Sequence, residues 1–233
     1  MAPPTAARLA GAALALAAAL AIAGFTALGS IFEYPQILDE PTADILTKFR
    51  DHQGAVTGWF LVLTLSAALL APAGILLGRI VPRTLGRWIA IVGIAAATVQ
   101  VVGLQRWFTL VPGISQDALD PAQYADAENR FEFLHTLLGK IIGETIGYAL
   151  TATFTILVVI ALRQTILPKW LAILGYLAAA LIATGVVIPL VEQASLTNFA
   201  GYVAWCVWLL AVAVVLIKRV TAESGPALAP SLG

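Results

Sequence analysis

Along the chain, apolar residues gather into six long runs separated by polar breaks, instead of alternating or recurring on one narrow helical stripe. The runs cover roughly residues 9–29, 54–78, 88–107, 133–162, 169–190 and 199–217. Each is long enough to cross a hydrocarbon core about 30 Å thick at about 1.5 Å per helical residue. The expected fold is therefore all-α. It is a six-helix transmembrane bundle, one integral membrane domain over residues 1–233, with short amphipathic helices in the outer loops.

The breaks are of two kinds. RIVPRTLGRW and RQTILPKW are short and carry helix-stopping prolines, whereas residues 30–53 and 108–132 form long connections. In the first long connection Pro41 suits a first helical position, and Ile45, Phe49 and His52 recur at i, i+4 and i+7. This predicts a short amphipathic helix on the outer surface. In the second, Asp120 as N-cap and Pro121 at the first helical position lead through AQYADAENRFEF into the fourth run. A weak echo, GAVTGW, GETIGY and AGY, puts small residues where inward-running helices begin, which close helix packing explains.

Charge fixes an expected orientation, because Lys and Arg are retained on the cytoplasmic side of a membrane. Arg8, Arg79, Arg83, Arg87, Arg163, Lys169, Lys218 and Arg219 all fall on one face. The opposite loops hold Lys48, Arg50, Arg106 and Arg130 among Glu33, Asp39, Glu40, Asp44, Asp51, Asp117, Asp120, Asp126, Glu128, Glu132 and Glu192. The expected location is the cell (inner) membrane, with both termini cytoplasmic and the acidic loops outside. Composition agrees: 60% of residues are hydrophobic, 11% are charged and the mean hydropathy is +0.92, which excludes a soluble domain. The formal net charge is zero and no basic cluster lies beyond the membrane flanks, so membrane lipids are the expected partners and nucleic acid is not. The first run has a basic start like a secretory signal, but its length of about twenty apolar residues exceeds a typical signal core and favours an uncleaved helix. Cys206, the sole cysteine, lies within a run, so disulfides and thiol–metal sites drop out.

The fourth run, FLHTLLGKIIGETIGYALTATF, carries His135, Lys140 and Glu144. A charge at the bilayer centre costs at least about 2.5 to 3.5 kcal/mol, so these residues call for a reason. At about 100° per residue, Gly139, Gly143 and Gly147 share a ridge beside a polar stripe of Lys140, Glu144, Tyr148, Thr151 and Thr155. Such a stripe is expected to face the bundle. Lys140 and Glu144, one turn apart, can form a structural ion pair; alternatively Glu144 lines a cavity and serves as a general acid. Trp59, Gln100, Arg106, Trp107, Glu192, Asn198, Tyr202 and Trp205 gather in the same outer half. Together they predict an outward-facing pocket, with Lys140, Arg106, Gln100, Trp107, Tyr148, Trp59, Asn198 and Tyr202 as ligand-binding residues and Glu144 as the catalytic candidate. His52 and His135 read as interfacial residues, with no metal site and no cofactor. Phosphate loops, GxSxG, HExxH and dinucleotide fingerprints are absent.

FEYPQILDEPTADILTKFR, ALLAPAGILLGR, VQVVGLQRWFTLVP, LGKIIGETIGY and LPKWLAILGY resemble the uncharacterised bacterial membrane proteins grouped as domain of unknown function 4386. The likeness covers most of the chain, with GLQRW and GETIGY its most distinctive parts. It implies a multi-pass fold and transfers no active site. Three functions compete: a binder of a small amphiphile or lipid, a membrane-embedded enzyme acting through Glu144 on an apolar, isoprenoid-like substrate, and a scaffold whose acidic tips meet another protein. Ligand-dependent stabilisation would mark the first, loss of turnover in Glu144→Gln the second, and silent pocket mutations the third.

The charge asymmetry generates a direct topological test. Cysteines placed at Gln123 and Arg83 should label from opposite faces of the membrane, and labelling of Arg83→Cys by an impermeant reagent in intact cells would overturn the orientation.

Overall fold

The structure, a computed structural model, describes residues 3–191 and 193–223. Among the described residues six helices are long and apolar enough to cross a membrane: Pro4–Phe32, Gln53–Gly78, Arg83–Asp117, Tyr124–Leu162, Lys169–Val187 and Ala194–Arg219. No strand occurs among the described residues. Each span packs on its neighbours in the chain, and the first closes on the sixth, so the bundle is a ring in sequence order. The chain is a multi-pass membrane protein.

Proline and glycine set the breaks. Pro82 and Pro168 stand immediately before the third and fifth spans and stop the chain from continuing the preceding helix. Pro72 lacks the N–H that would bond Ala68, and the second span is interrupted there at Leu69, between Gln53–Ala68 and Leu70–Gly78. The fifth span ends at Ala183 and tightens into a 3-10 turn, Thr184–Val187, short of the expected end at residue 190.

Two cores stack along the ring. The one nearer the basic face draws on all six spans: Ala10, Leu14 and Ala18 of the first meet Leu70 and Ala73 of the second, Ile89 of the third, Phe154 and Val158 of the fourth, Leu171 of the fifth and Trp208 of the sixth. Lipid is as apolar as these side chains, so close backbone approach and interhelical hydrogen bonds must hold this layer. Gly11 supplies the first, since a Cβ there would lie 3.0 Å from the Ala213 carbonyl oxygen. Ser66 supplies the second by donating to the Ala17 carbonyl at 2.7 Å, as does Trp208 Nε1 to the Leu171 carbonyl at 3.0 Å.

The other core is an aromatic cap at the acidic-loop end. The expected amphipathic helix is present as Thr42–Asp51, with Ile45, Leu46 and Phe49 buried. It starts one residue after Pro41, which caps it, and His52 turns out to solvent instead of joining the apolar face, because the helix has already ended at Asp51. Beyond Gln105 the third span continues as Arg106–Thr109 and Val111–Asp117, pressing Val111 and Ile114 into the same core. At the far connection the Gln123 amide and the Ala122 N–H bond the Asp120 carboxylate and hold it below the usual range. Asp120 thus caps a turn, and the helix proper starts four residues later at Tyr124.

Trp107 is the hub of the cap. Its ring lies 4.8 Å from Phe60, stacked at 7°, 5.2 Å from Phe32, and 6.1 Å from both Phe49 and Phe131. It is fully buried. Trp107→Ala should therefore cost about 3–5 kcal/mol, as truncation of a large core aromatic does. The check is thermal unfolding in detergent; a loss well under 1 kcal/mol would mean that this ring lines open space.

Candidate functional site

The fourth span changes its winding where its sequence is most polar. From His135 to Ile146 it is a π-helix, with ordinary α-helix before it and again from Gly147 to Leu162. Thr145 Oγ1 accordingly donates to the carbonyl of Lys140, five residues back, at 2.9 Å. π-turns are rare, normally no longer than a single bulge, and recur at functional sites. The neighbouring third span accounts for the local packing. Gly103 meets the segment so closely that a Cβ added to it would stand 2.7 Å from Gly143 Cα and 2.9 Å from the Leu138 carbonyl oxygen.

Gly139 makes room for Arg106. A Cβ at residue 139 would fall 2.6 Å from Arg106 Nη2, so the guanidinium lies directly on the bare glycine backbone. Arg106 is 4% exposed. Nη1 donates to the Gly103 carbonyl, the guanidinium carbon lies 5.2 Å from the centre of the Trp107 ring, and Nε has no partner. Among the described residues no carboxylate pairs with it. Tyr34, in the loop after the first span, reaches the same level, its ring edge-on to Phe60 at 5.1 Å. Burial pushes the Tyr34 phenol well above its ordinary range; the Glu144 carboxylate pushes the same way and the Arg106 guanidinium pulls it back.

Of the two alternatives for Lys140 and Glu144, the structural ion pair is not formed among the described residues. With i→i+5 bonding, the angle per residue is no longer that of an α-helix, and Lys140 swings out to the exposed surface while Glu144 stays half-buried. Glu144 has neither an ion pair nor a hydrogen bond among the described residues. Below it the polar stripe does face the bundle. Gln100 Nε2 donates to Thr151 Oγ1 at 3.1 Å and to the Ala96 carbonyl at 3.2 Å, Thr155 Oγ1 donates to the Thr151 carbonyl at 2.8 Å, and Trp205 Nε1 donates to Thr155 Oγ1 at 2.8 Å. Tyr148 packs edge-on to Tyr202 at 5.7 Å, and Asn198 Nδ2 donates to the Ile182 carbonyl at 2.8 Å. Trp59 is half-buried against the aromatic cap. Glu192 lies outside the described residues.

His135, the first residue of the π-segment, is 6% exposed and stacks on Phe131 at 5.6 Å and 6°. Neither ring nitrogen has a hydrogen-bond partner. His135 borders a cleft of about 490 Å³ between the Thr42–Asp51 helix and the fourth span, with Asp39, Glu40, Thr42, Glu132 and Lys140 around it. Thr42 donates to Glu132 across the cleft wall at 3.2 Å. Of the residues expected from sequence to bind a ligand, this cleft takes Lys140; Arg106, Trp107, Gln100, Tyr148, Trp59, Asn198 and Tyr202 are not among the residues that line it. His52 is exposed and apart from His135, and no group of three potential metal ligands gathers among the described residues. Sequence reasoning missed Tyr34 and the glycine cradle of Arg106. A Tyr-Pro turn signalled the first, and the four-residue spacing of Gly139 and Gly143 the second.

No curated protein and no solved structure matches the chain. A family model described as a domain of unknown function (DUF4386) matches residues 9–213, which covers the second to fifth spans whole, most of the first and sixth, the aromatic cap and the π-segment. The chain belongs to that family, DUF4386, as a multi-pass membrane protein.

Proposed function

We propose that the protein binds a small amphiphile or lipid at its acidic-loop end, with the polar head in the cleft beside His135 and Lys140. The observation that carries this reading is His135, buried at the cleft wall with both ring nitrogens unbonded. Leaving a buried polar group unsatisfied costs about 1–3 kcal/mol, and a head group with hydrogen-bonding oxygens removes that cost. The cleft offers both signs of charge. Lys140 suits a phosphate, and Asp39, Glu40 and Glu132 suit an ammonium, so a zwitterionic head fits best. The π-segment lends support, since such windings are retained where a backbone serves a ligand.

Short-chain phosphatidylethanolamine is the probe of choice. Added to the purified protein in detergent, it should raise the unfolding temperature, by an amount equivalent to about 2.7 kcal/mol at a hundredfold excess over Kd. His135→Phe keeps the stack on Phe131 and should abolish most of the rise, and Lys140→Ala should weaken binding about tenfold. An unchanged rise in His135→Phe would sink the reading.

A second reading, a membrane-embedded enzyme with Glu144 as general acid on an apolar substrate, is favoured by one observation: Glu144 is half-buried with neither a salt bridge nor a hydrogen bond among the described residues. Here Glu144→Gln should keep the thermal stability and elution profile of the wild type yet fail to complement a deletion strain. Full complementation by that variant removes Glu144 from any chemistry.

A further inference from the structure

At the opposite end of the bundle, the turn RIVPRTLGRW brings Arg79, Arg83 and Arg87 around one cleft of about 450 Å³. Gly78 and Gly86 make this possible. The two backbones meet so closely that a Cβ on either would collide with the other's carbonyl oxygen, and the ends of the second and third spans are clamped together. Arg83 and Arg87 stand one turn apart on the third span, and Arg79 faces them from the end of the second. Among the described residues none of the three guanidinium groups hydrogen-bonds or pairs with a carboxylate, and no acid lines the cleft. Like charges one helical turn apart repel. Three around one cleft with no counter-charge form an arrangement that an anion relieves.

The lining also says what kind of anion. Guanidinium forks bind phosphate oxygens in pairs, which a carboxylate-free arginine cleft is suited to do. Ile75 and Ala90 line the cleft on its membrane side. Ile91 and Ile94 continue from Arg87 at i+4 and i+7, so they share its face of the helix, and both are exposed. Trp88, next to Arg87, is 55% exposed, as an interfacial ring at head-group level would be. A soluble phosphate would leave the apolar stripe unused; a lipid uses both. We infer that this cleft binds the phosphate of an anionic membrane phospholipid, with its acyl chains lying along Ile75, Ile91 and Ile94.

Native mass spectrometry of the delipidated full chain tests this with three probes: phosphatidylglycerol, phosphatidylcholine and glycerol 3-phosphate. One phosphatidylglycerol should stay bound per chain, phosphatidylcholine should bind at least about tenfold more weakly, and glycerol 3-phosphate should not displace the lipid. Equal binding of the two lipids overturns the inference, as does displacement by glycerol 3-phosphate. The double variant R83K R87K keeps the positive charge of this face, and with it the insertion signal, while losing the forked geometry. It should weaken phosphatidylglycerol binding at least about tenfold. If it binds as tightly as the wild type, the face attracts lipid by charge alone and holds no such site.

Discussion

A backbone inside hydrocarbon finds no water to bond, so every N–H and C=O within the spans must be met by the chain itself. The rest of the architecture follows from that. At the interruptions at Leu69, Gln105 and Leu110 each backbone N–H still finds a carbonyl four residues back. The π-segment obeys the same rule by shifting each bond one residue further along, which keeps the backbone satisfied while altering which side chains share a face. Irregular backbone is confined to the loop ends, where the aromatic cap or water can meet it.

Within this frame the two ends of the bundle differ in how completely their polar groups are met. In the layer toward the basic face, Ser66, Trp205 and Trp208 each have a partner, and the packing reads as structure alone. At the acidic-loop end, Arg106 Nε, Trp107 Nε1 and both His135 nitrogens have none. The glycine cradle explains how so large a cation is admitted there at all. Gly139 gives up a side chain so that the guanidinium can lie on backbone, and the Gly103 carbonyl and the face of Trp107 stand in for part of its lost hydration. Unmet groups of this kind are expensive to keep, and their concentration in one place sets that end apart.

Much of the fold was legible because length and composition decide it. A run such as residues 199–217 can only cross, and Pro41 with Ile45 and Phe49 announces a short amphipathic helix. The site was read less well, because a helical wheel at about 100° per residue presumes the α-form. Across His135–Ile146 that presumption fails, so Lys140 leaves the stripe to which the wheel assigned it and its pairing with Glu144 disappears. Thr151 and Thr155, beyond the π-segment, face inward as the wheel requires. Trp107, expected to line a pocket, sits in the aromatic cap, an environment that depends on Phe49 of the Thr42–Asp51 helix packing against it and that local pattern does not specify. Tyr34 reaches this end of the bundle by packing edge-on to Phe60, a contact to which its Tyr-Pro turn gives only a local clue.

The ring in sequence order bears on how the molecule is made. Five of its six interfaces join helices that leave the ribosome one after the other, so each new span can dock on the one before it as synthesis proceeds. The sixth interface cannot form until the last helix arrives. Until then the first helix must wait with the surface it reserves for its partner facing lipid. On that surface Gly11 offers bare backbone to Ala213 and Ile217, and hydrocarbon solvates such a surface as readily as protein does. An alanine-rich opening helix is, in this light, a delayed fastener.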